Sequence, residues 1–326
     1  MKRYYRPLVH RSARGPRLAG GWLRFAEVEE ITREGGTRIL PWRALPSAAL
    51  DALTAPRAAI AGLSMDGPRL MGILNATPDS FSDGGRYDST EAALAQAARL
   101  EAEGADILDV GGESTRPGAA EVPVAEEIAR TAPAIAAMEL GVPVSIDTRK
   151  AAVGEAALAA GAVLLNDVSG LRFDPGMAPL AARTGAPVCI MHAQGDPETM
   201  QDDPRYDNVL LDVYDALEAQ RATAEAAGIA RSRIILDPGI GFGKTLEHNL
   251  ALLRGLALLH GLGCPLLLGA SRKRFIGTLS GVEAADGRMP GSLAVALAGV
   301  AQGAQILRVH DVAPTRQALS LWQAVT

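Results

Sequence analysis

The sequence predicts an α/β fold: a (β/α)8 TIM barrel with an N-terminal extension. Three observations lead to it: eight short apolar runs, Ala- and Leu-rich helical stretches between them, and polar residues where the runs end. The runs are RLMGILN (69–75), ADILDVGG (105–112), PVSID (143–147), VLLNDV (163–168), PVCIMH (187–192), IILD (234–237), PLLLGAS (265–271) and QILRVH (305–310). Eight strands that alternate with helices over about 250 residues match a closed barrel, and a doubly wound open sheet is the alternative.

We expect residues 67–326 to form this barrel as one catalytic domain. Residues 1–66 do not follow the repeat and are an extension of unknown role. Within the extension, LRFAEVEEITREGGTRIL (23–40) is typical of a β-hairpin and PSAALDALTA (46–55) of a short helix.

Composition narrows the classes of protein that the chain can be. It is 48% hydrophobic, enough for a large core, and it has no run of 18 apolar residues that could span a membrane. The net charge is −5, yet residues 1–43 hold ten Lys or Arg against four acidic residues. This basic segment has no interleaved aromatic residues, so we expect a structural role and no nucleic acid partner. It lacks the apolar stretch of an export signal, which favours the cytoplasm.

The two cysteines are predicted to be buried free thiols. Cys189 and Cys264 each lie inside an apolar run, and a disulfide or a metal site is not the expected state of such residues.

In each of the first two loops after predicted strands, we single out one residue that could bind an ion or a charged substrate. Asn75 begins NATPDSFSDGG, where it could bind a divalent cation or a phosphate, or simply cap a turn. Arg116 lies in GGESTRPG, where it could meet an anionic substrate, although a surface arginine in a glycine-rich turn is the simpler alternative.

Three further strand ends offer hydrogen-bond acceptors. Asp147, Asn166 and Asp237 directly follow runs of β-forming residues and should point into the mouth of the barrel. Two carboxylates and an amide match a flat heterocycle that presents several N–H groups in a plane. An aspartate after a strand can also be an ordinary helix N-cap, so the prediction rests on the three positions together.

The segment DPGIGFGKT (237–245) resembles a phosphate-binding P-loop only superficially. Pro238 stands where that motif requires glycine, so we exclude a P-loop. The glycines instead allow the backbone to approach a planar ligand closely, and Phe242 could form one wall of its pocket.

The last two strand ends carry a cationic set. Ser271 and Lys273 follow the seventh run, and Arg308 and His310 end the eighth, at the part of a barrel rim that commonly binds phosphate. Together they suit a pyrophosphate. The neighbouring Arg272 and Arg274 could instead form a solvated basic patch, and we do not assign them to the pyrophosphate site.

Seven strings in this order resemble the dihydropteroate synthases: NATPDSFSDGG, GGESTRPG, SIDT, NDVSG, DPGIGFGK, GASRK and RVHD. The resemblance runs from about residue 69 to the end of the chain. It implies condensation of 6-hydroxymethyl-7,8-dihydropterin diphosphate with para-aminobenzoate, which yields 7,8-dihydropteroate and pyrophosphate in folate biosynthesis. It also implies a homodimer and a magnesium cofactor.

The resemblance also assigns roles to residues. The pterin would be held by Asp147, Asn166, Asp237 and Lys273, and the pyrophosphate by Thr115, Arg308 and His310. Asn75 would meet Mg²⁺ and the leaving group. The aminobenzoate pocket, where sulfonamide drugs bind in the family, would comprise Phe81, Arg116, Pro117 and Ser271.

We regard Asp147, Lys273 and Arg308 as the catalytic set. An arylamine is already nucleophilic, so the reaction needs stabilisation of the departing pyrophosphate and no protein nucleophile. We expect a dissociative course, because acceptors surround the electron-rich ring. Two alternatives are a methyltetrahydrofolate-dependent methyltransferase and a non-catalytic pterin-binding paralogue.

Overall fold

The computed structural model describes residues 1–76, 86–114, 121–195 and 199–325. Its main body is a barrel of eight parallel strands in the order in which they occur along the chain, which confirms the predicted fold class. The last two strands pair with each other and return to the first, and a single parallel bridge between Leu236 and Leu266 joins the remaining edge. Among the described residues, no helix is long and apolar enough to cross a membrane.

The barrel strands coincide with the eight apolar runs. They are β4 (Arg69–Asn75), β5 (Ile107–Gly111), β6 (Val144–Asp147), β7 (Leu164–Asp167), β8 (Val188–Met191), β9 (Ile234–Asp237), β10 (Leu267–Leu268) and β11 (Ile306–Val309).

Helices follow each strand along the barrel. They are α2 (Arg86–Ala102), α3 (Val124–Ala137), α4 (Ala151–Ala159), α5 (Met177–Thr184), α6 (Val209–Ala226), α7 (Leu246–Arg254), α8 (Arg274–Ser280), α9 (Met289–Val300) and α10 (Val312–Val325). Local signals fix several of their ends: Asn208 caps α6, Thr245 and His248 form a capping box on α7, and Gly185 ends α5 in the left-handed conformation.

Side chains alternate between the two faces of each barrel strand. The outward residues, such as Leu108, Val110 and Leu165, pack with the helices in the main core. The first inward residues form a separate apolar layer inside the barrel. This layer consists of Met71, Ile107, Leu164, Cys189, Ile235, Leu267 and Ile306. Two residues further along their strands come Asp109, Asn166, Asp237 and Arg308, so the strand period of two stacks a polar layer on an apolar one.

The extension forms a second, smaller sheet. Its strands are β1 (Tyr4–His10), β2 (Arg24–Ile31) and β3 (Thr37–Pro41), all antiparallel, and α1 (Ser47–Thr54) follows them. The pairing of β2 with β3 confirms the predicted hairpin, and α1 confirms the short helix. Strand β1 was not predicted from the sequence, although its pairing with β2 is the longest in this sheet.

Apolar contacts hold the small sheet together and attach it to the barrel. Phe25 and Val28 of β2 are fully buried in a cluster that also receives Trp322 of α10. Tyr4 packs with Leu211 of α6 in another cluster. Ile60 and Met65 extend the inner apolar layer at the amino end of the barrel. Both cysteines are free and buried, as predicted.

Charge also joins the two parts. Three acidic residues of α6 receive bonds from the extension: Arg33 meets Asp212 at 2.8 Å and Asp215 at 2.6 Å, and Lys2 meets Asp215 and Glu218. Other basic residues pair within the sheet, as Arg38 does with Glu30 at 2.7 Å. Five of the ten basic residues in the first 43 positions thus take part in ion pairs with described residues: Lys2, Arg3, Arg6, Arg33 and Arg38.

Phe25→Ala should test whether the small sheet is part of the cooperative fold. Removing this fully buried ring leaves a cavity, and we expect a loss of about 3–5 kcal/mol in the free energy of unfolding, measured by urea denaturation. Ile39→Ala, at an exposed position of the same sheet, should change stability by less than about 0.5 kcal/mol. Equal stability of both variants would mean that the sheet does not contribute to the main transition.

Candidate active site at the carboxyl mouth of the barrel

The guanidinium of Arg308 lies at the centre of the mouth. From β11 it crosses the barrel interior, where Nε donates to Oδ2 of Asp109 and a terminal nitrogen donates to Oδ2 of Asp147, each at 2.6 Å. Asp109 is fully buried and Asp147 nearly so. A guanidinium has five N–H groups, so three remain for another anion. The side chain is 21% exposed, which gives those groups access to the mouth.

Asp109 also orients Asn166. The amide nitrogen Nδ2 of Asn166 donates to Oδ2 of Asp109 at 2.9 Å, which turns the amide oxygen of Asn166 away as an acceptor. Asp109 was not predicted as a site residue, because only residues at the ends of strands were taken as candidates. The available signal was an acidic residue in the inward phase of the apolar run ILDVG, two positions after Ile107.

Asp147 retains an unused acceptor. Its Oδ1 atom is buried, and no described residue donates a hydrogen bond to it. Burial raises the pKa of Asp147, a change that Arg308 opposes and Asp109 reinforces. Asp147 does not cap α4, because Lys150 occupies the N-cap position of that helix. This excludes the simple capping alternative at this residue.

Asp237 is the second carboxylate of the mouth. Its Oδ1 accepts a bond from the backbone nitrogen of Gly239 at 2.7 Å. Burial raises its pKa to about 6, while the Gly239 bond and the positive charges of Lys273, Lys244 and Arg308 act in the opposite direction. The carboxylate therefore lies in a buried site with cations nearby.

Lys273 and Phe242 form the next part of the rim. The ammonium of Lys273 lies 4.0 Å from the centre of the Phe242 ring, a cation–π contact. Gly241 has φ of +82°, and an added Cβ there would lie 3.1 Å from the Lys273 side chain. The glycine thus lets the backbone pass close to this lysine.

Ser271 and His310 meet on the same side. The hydroxyl oxygen of Ser271 accepts from the backbone nitrogen of His310 at 3.2 Å and lies 3.0 Å from its Nδ1. The two adjacent arginines differ from each other. Arg272 is bound through two nitrogens to Asp311, with Nε at 3.0 Å, whereas Arg274 is exposed at the start of α8.

The structure brings together Asp147, Asn166, Asp237, Phe242, Ser271, Lys273, Arg308 and His310 at the carboxyl end of the strands. Asn75 ends β4 at the same end, where its backbone pairs with Gly111. Phe81, Thr115, Arg116 and Pro117 lie outside the described residues. Among the residues that are described, no group of three His, Cys, Asp or Glu side chains could hold a metal ion.

Two buried lysines beside the mouth were also missed from sequence. Lys244 lies against His192, with Nζ 3.0 Å from Nδ1 of the ring. Lys150 is paired with Glu113 at 3.0 Å and Glu127 at 2.9 Å. Each lysine contacts residues that are distant in the sequence, and Glu127 belongs to α3, so no local sequence pattern indicates these contacts.

Comparison with known proteins agrees with this geometry. The chain matches the family described as pterin binding enzyme over residues 71–310. A dihydropteroate synthase of Neisseria meningitidis serogroup B is 51% identical over 269 residues, 81% of this chain and 94% of the relative. Xanthomonas albilineans dihydropteroate synthase solved with 4-aminobenzoic acid has a TM-score of 0.78 at 49% identity, covering 83% of this chain and 98% of that one. The same enzyme in complex with 7,8-dihydropteroate has a TM-score of 0.75 at 46% identity, with the same coverages.

Asp237→Asn should stabilise the ligand-free protein in a pH-dependent way. The folded-state pKa of about 6 exceeds the ordinary 3.8, so the folded protein binds the proton more tightly and loses stability as pH rises through this interval. Asparagine avoids that loss, and we expect a gain of about 1–3 kcal/mol at pH 8 that vanishes below pH of about 4.

Denaturation measured between pH 4 and pH 8 would test this. Asp51→Asn, at an exposed position of α1, serves as the control and should follow the wild-type profile. A constant difference between Asp237→Asn and wild type across the range would contradict the electrostatic origin.

Proposed function

The chain belongs to the pterin-binding enzymes and within them to the dihydropteroate synthases, and from that premise we propose how its barrel mouth carries out their reaction. The reaction transfers a pterinylmethyl group: 6-hydroxymethyl-7,8-dihydropterin diphosphate and para-aminobenzoate give 7,8-dihydropteroate and pyrophosphate. The relatives are named dihydropteroate synthases, so we do not retain the methyltransferase alternative. A catalytic assay separates the synthase from a pterin-binding paralogue without activity.

One observation carries the assignment of the pterin: the buried acceptor Oδ1 of Asp147, which no described residue satisfies. A buried acceptor without a donor costs free energy, and a ligand with N–H groups would recover it. The oriented amide of Asn166 and the carboxylate of Asp237 supply further acceptors at the same depth. A pterin presents its ring N–H and exocyclic amino groups in one plane, which suits this set.

The ring of Phe242 and the ammonium of Lys273 complete the pterin subsite. The apolar ring offers a wall for the flat heterocycle, and the adjacent ammonium can donate to the pterin's acceptor atoms. Donors and acceptors at one rim can therefore form hydrogen bonds with both edges of the heterocycle.

Charge separation during the reaction explains the composition of the mouth. The bond from the pterin methylene carbon to the diphosphate oxygen breaks, and its electron pair leaves with pyrophosphate. The lone pair of the arylamine then forms the new C–N bond, and the amine loses a proton. Asp147 and Asp237 would stabilise positive charge on the ring, which favours a dissociative course, while Arg308 and His310 would meet the departing anion.

We assign Ser271 to the aminobenzoate side, together with Phe81, Arg116 and Pro117, which lie outside the described residues. Because the arylamine attacks directly, this pocket has only to orient it. Sulfonamides, which resemble para-aminobenzoate, would compete for the same place.

Magnesium fits this site as an ion for which the phosphate oxygens of the substrate would supply most of the ligands. Asn75 supplies a hard amide oxygen at the tip of β4, and the described residues offer no cluster of carboxylates that would hold the ion alone. Mg²⁺ is commonly bound by one or two protein groups with phosphate oxygens and water. When bound, it would neutralise charge on the leaving pyrophosphate.

The homodimer and the cytoplasmic location are proposals that come from the family resemblance and the sequence composition. Sedimentation velocity of the purified chain would measure its mass in solution.

The function is tested by incubating the chain with the pterin diphosphate, Mg²⁺ and para-aminobenzoate. Pyrophosphate and dihydropteroate should appear in equal amounts. Pyrophosphate release that continues without para-aminobenzoate, or no release at all, would refute the synthase assignment.

Arg308→Lys should lower kcat/KM by about 10²–10³-fold, because one ammonium cannot bridge two carboxylates and also reach an anion in fixed geometry. Lysine keeps a positive charge between Asp109 and Asp147, which limits the damage to folding. Arg274→Lys, at the exposed first residue of α8, is the matched control and should retain activity within about twofold. If Arg308→Lys has the kcat/KM of the wild type, the role proposed for Arg308 in the reaction is wrong.

Asn75→Ala should raise the Mg²⁺ concentration needed for half-maximal activity by about tenfold, the effect of losing one ligand. Binding of 6-hydroxymethyl-7,8-dihydropterin, which lacks the diphosphate, should be unchanged when measured by its fluorescence. If Asn75→Ala leaves the Mg²⁺ dependence as it is in the wild type, Asn75 is not a magnesium ligand.

A further inference from the structure

Lys244 is a buried lysine for which the mechanism above has no use. It is 3% exposed, and its ammonium lies within hydrogen-bond distance of three acceptors. These are Nδ1 of His192 at 3.0 Å, the carbonyl oxygen of His192 at 3.3 Å and the carbonyl oxygen of Phe242 at 2.8 Å. A lysine ammonium has exactly three donors. All of them are thus directed at the protein, so Lys244 is not a ligand of the substrate.

The three acceptors belong to two segments that lie in direct backbone contact. A Cβ added at Gly239 would lie 1.8 Å from the carbonyl oxygen of His192, and one at Gly243 would lie 2.6 Å from that of Gln194. No side chain can therefore separate the loop after β9 from the tip of β8. Lys244 is the charged group that ties these two segments together.

Other bonds also hold this loop: the backbone nitrogen of Phe242 donates to the carbonyl of Gly239 at 3.1 Å, and the carbonyls on either side of Phe242 have acceptor roles of their own. The carbonyl of Gly241 accepts from Gln201 at 2.6 Å, and that of Gly243 accepts from the Tyr206 hydroxyl at 2.8 Å. The carbonyl of Phe242 accepts from Lys244. The Phe242 ring, which lies 4.0 Å from the Lys273 ammonium, therefore belongs to a residue whose carbonyl Lys244 holds.

The protonation states agree with this arrangement. Burial lowers the pKa of His192 to about 2, so its ring is neutral and Nδ1 can accept a hydrogen bond. Burial also lowers the pKa of Lys244 to about 7; the charge of Asp237 opposes this shift, and the charges of Lys273 and Arg172 reinforce it. The neutral ring of His192 is thus an acceptor that lies 3.0 Å from Nζ of Lys244.

We propose that Lys244 is a positioning residue of the pterin subsite: it holds the Phe242 carbonyl against the tip of β8 and thereby places the Phe242 ring and the Lys273 ammonium. The inference rests on the proposed pterin subsite. It assigns Lys244 an effect on the pterin, because the hydrogen bonds of Lys244 to described residues reach His192 and Phe242 and do not reach Ser271.

The test compares Lys244→Met with the wild type. Methionine keeps the length and apolar character of the side chain but removes its three donors. We expect the Kd of 6-hydroxymethyl-7,8-dihydropterin diphosphate, measured by pterin fluorescence, to rise about tenfold or more, while the KM of para-aminobenzoate changes by less than about threefold. Phe25→Ala is a control for lost stability, and its Kd for the pterin should equal that of the wild type.

Phe242→Leu provides a second arm if Lys244→Met does not fold. It keeps an apolar side chain but removes the ring beside Lys273, and it should weaken pterin binding to a similar degree. Wild-type affinity in either folded variant overturns the inference, as does an equal rise in both substrates' constants. If the wild-type chain itself does not bind the pterin, the proposed function fails instead.

Discussion

A guanidinium buried between two carboxylates is the interaction on which the interior of this barrel depends. Asp109 has no exposure to solvent, and an isolated charge at that depth would be prohibitively costly. Arg308 makes the burial tolerable because one planar group bonds Asp109 and Asp147 at once. The same bonds orient Asn166 through Asp109. Four side chains from four strands are thus fixed as a unit, resting on the apolar layer beneath them.

This unit is only partly satisfied by the protein itself. Two carboxylates face one guanidinium, and one oxygen of each lacks a donor among the described residues. Burial raises the pKa of Asp147 and Asp237, which means that the folded chain bears a cost in keeping them ionised. A ligand that donates to these oxygens would recover part of that cost as binding energy. In the proposed function, incomplete satisfaction of these buried groups would be the physical basis for ligand affinity.

The sequence predicted the barrel well because its signal is local. Each strand is a short apolar run, and the residue that follows a run must lie at the carboxyl rim; this placed Asp147, Asn166 and Asp237 correctly. Pairings across the barrel have no local signal. Arg308 meets partners 199 and 161 residues away, and Lys244 meets His192 through loops whose contact depends on Gly239 and Gly243. β1 was missed for a related reason: YYRPLVH becomes a strand by pairing with β2 and packing Tyr4 against α6.

The basic extension shows why composition alone does not identify a partner. An excess of positive charge can indicate a polyanionic partner, but here Lys2 and Arg33 pair with the acidic face of α6. Asp212, which binds Arg33, in turn accepts from the backbone nitrogens of Asp207 and Asn208. Exposed ion pairs contribute little stability individually. The buried contacts of Tyr4, Phe25, Ile60 and Met65 must therefore provide most of the attachment of the small sheet to the barrel. The charge of a segment is thus informative only once the charge of the surface that it contacts is known.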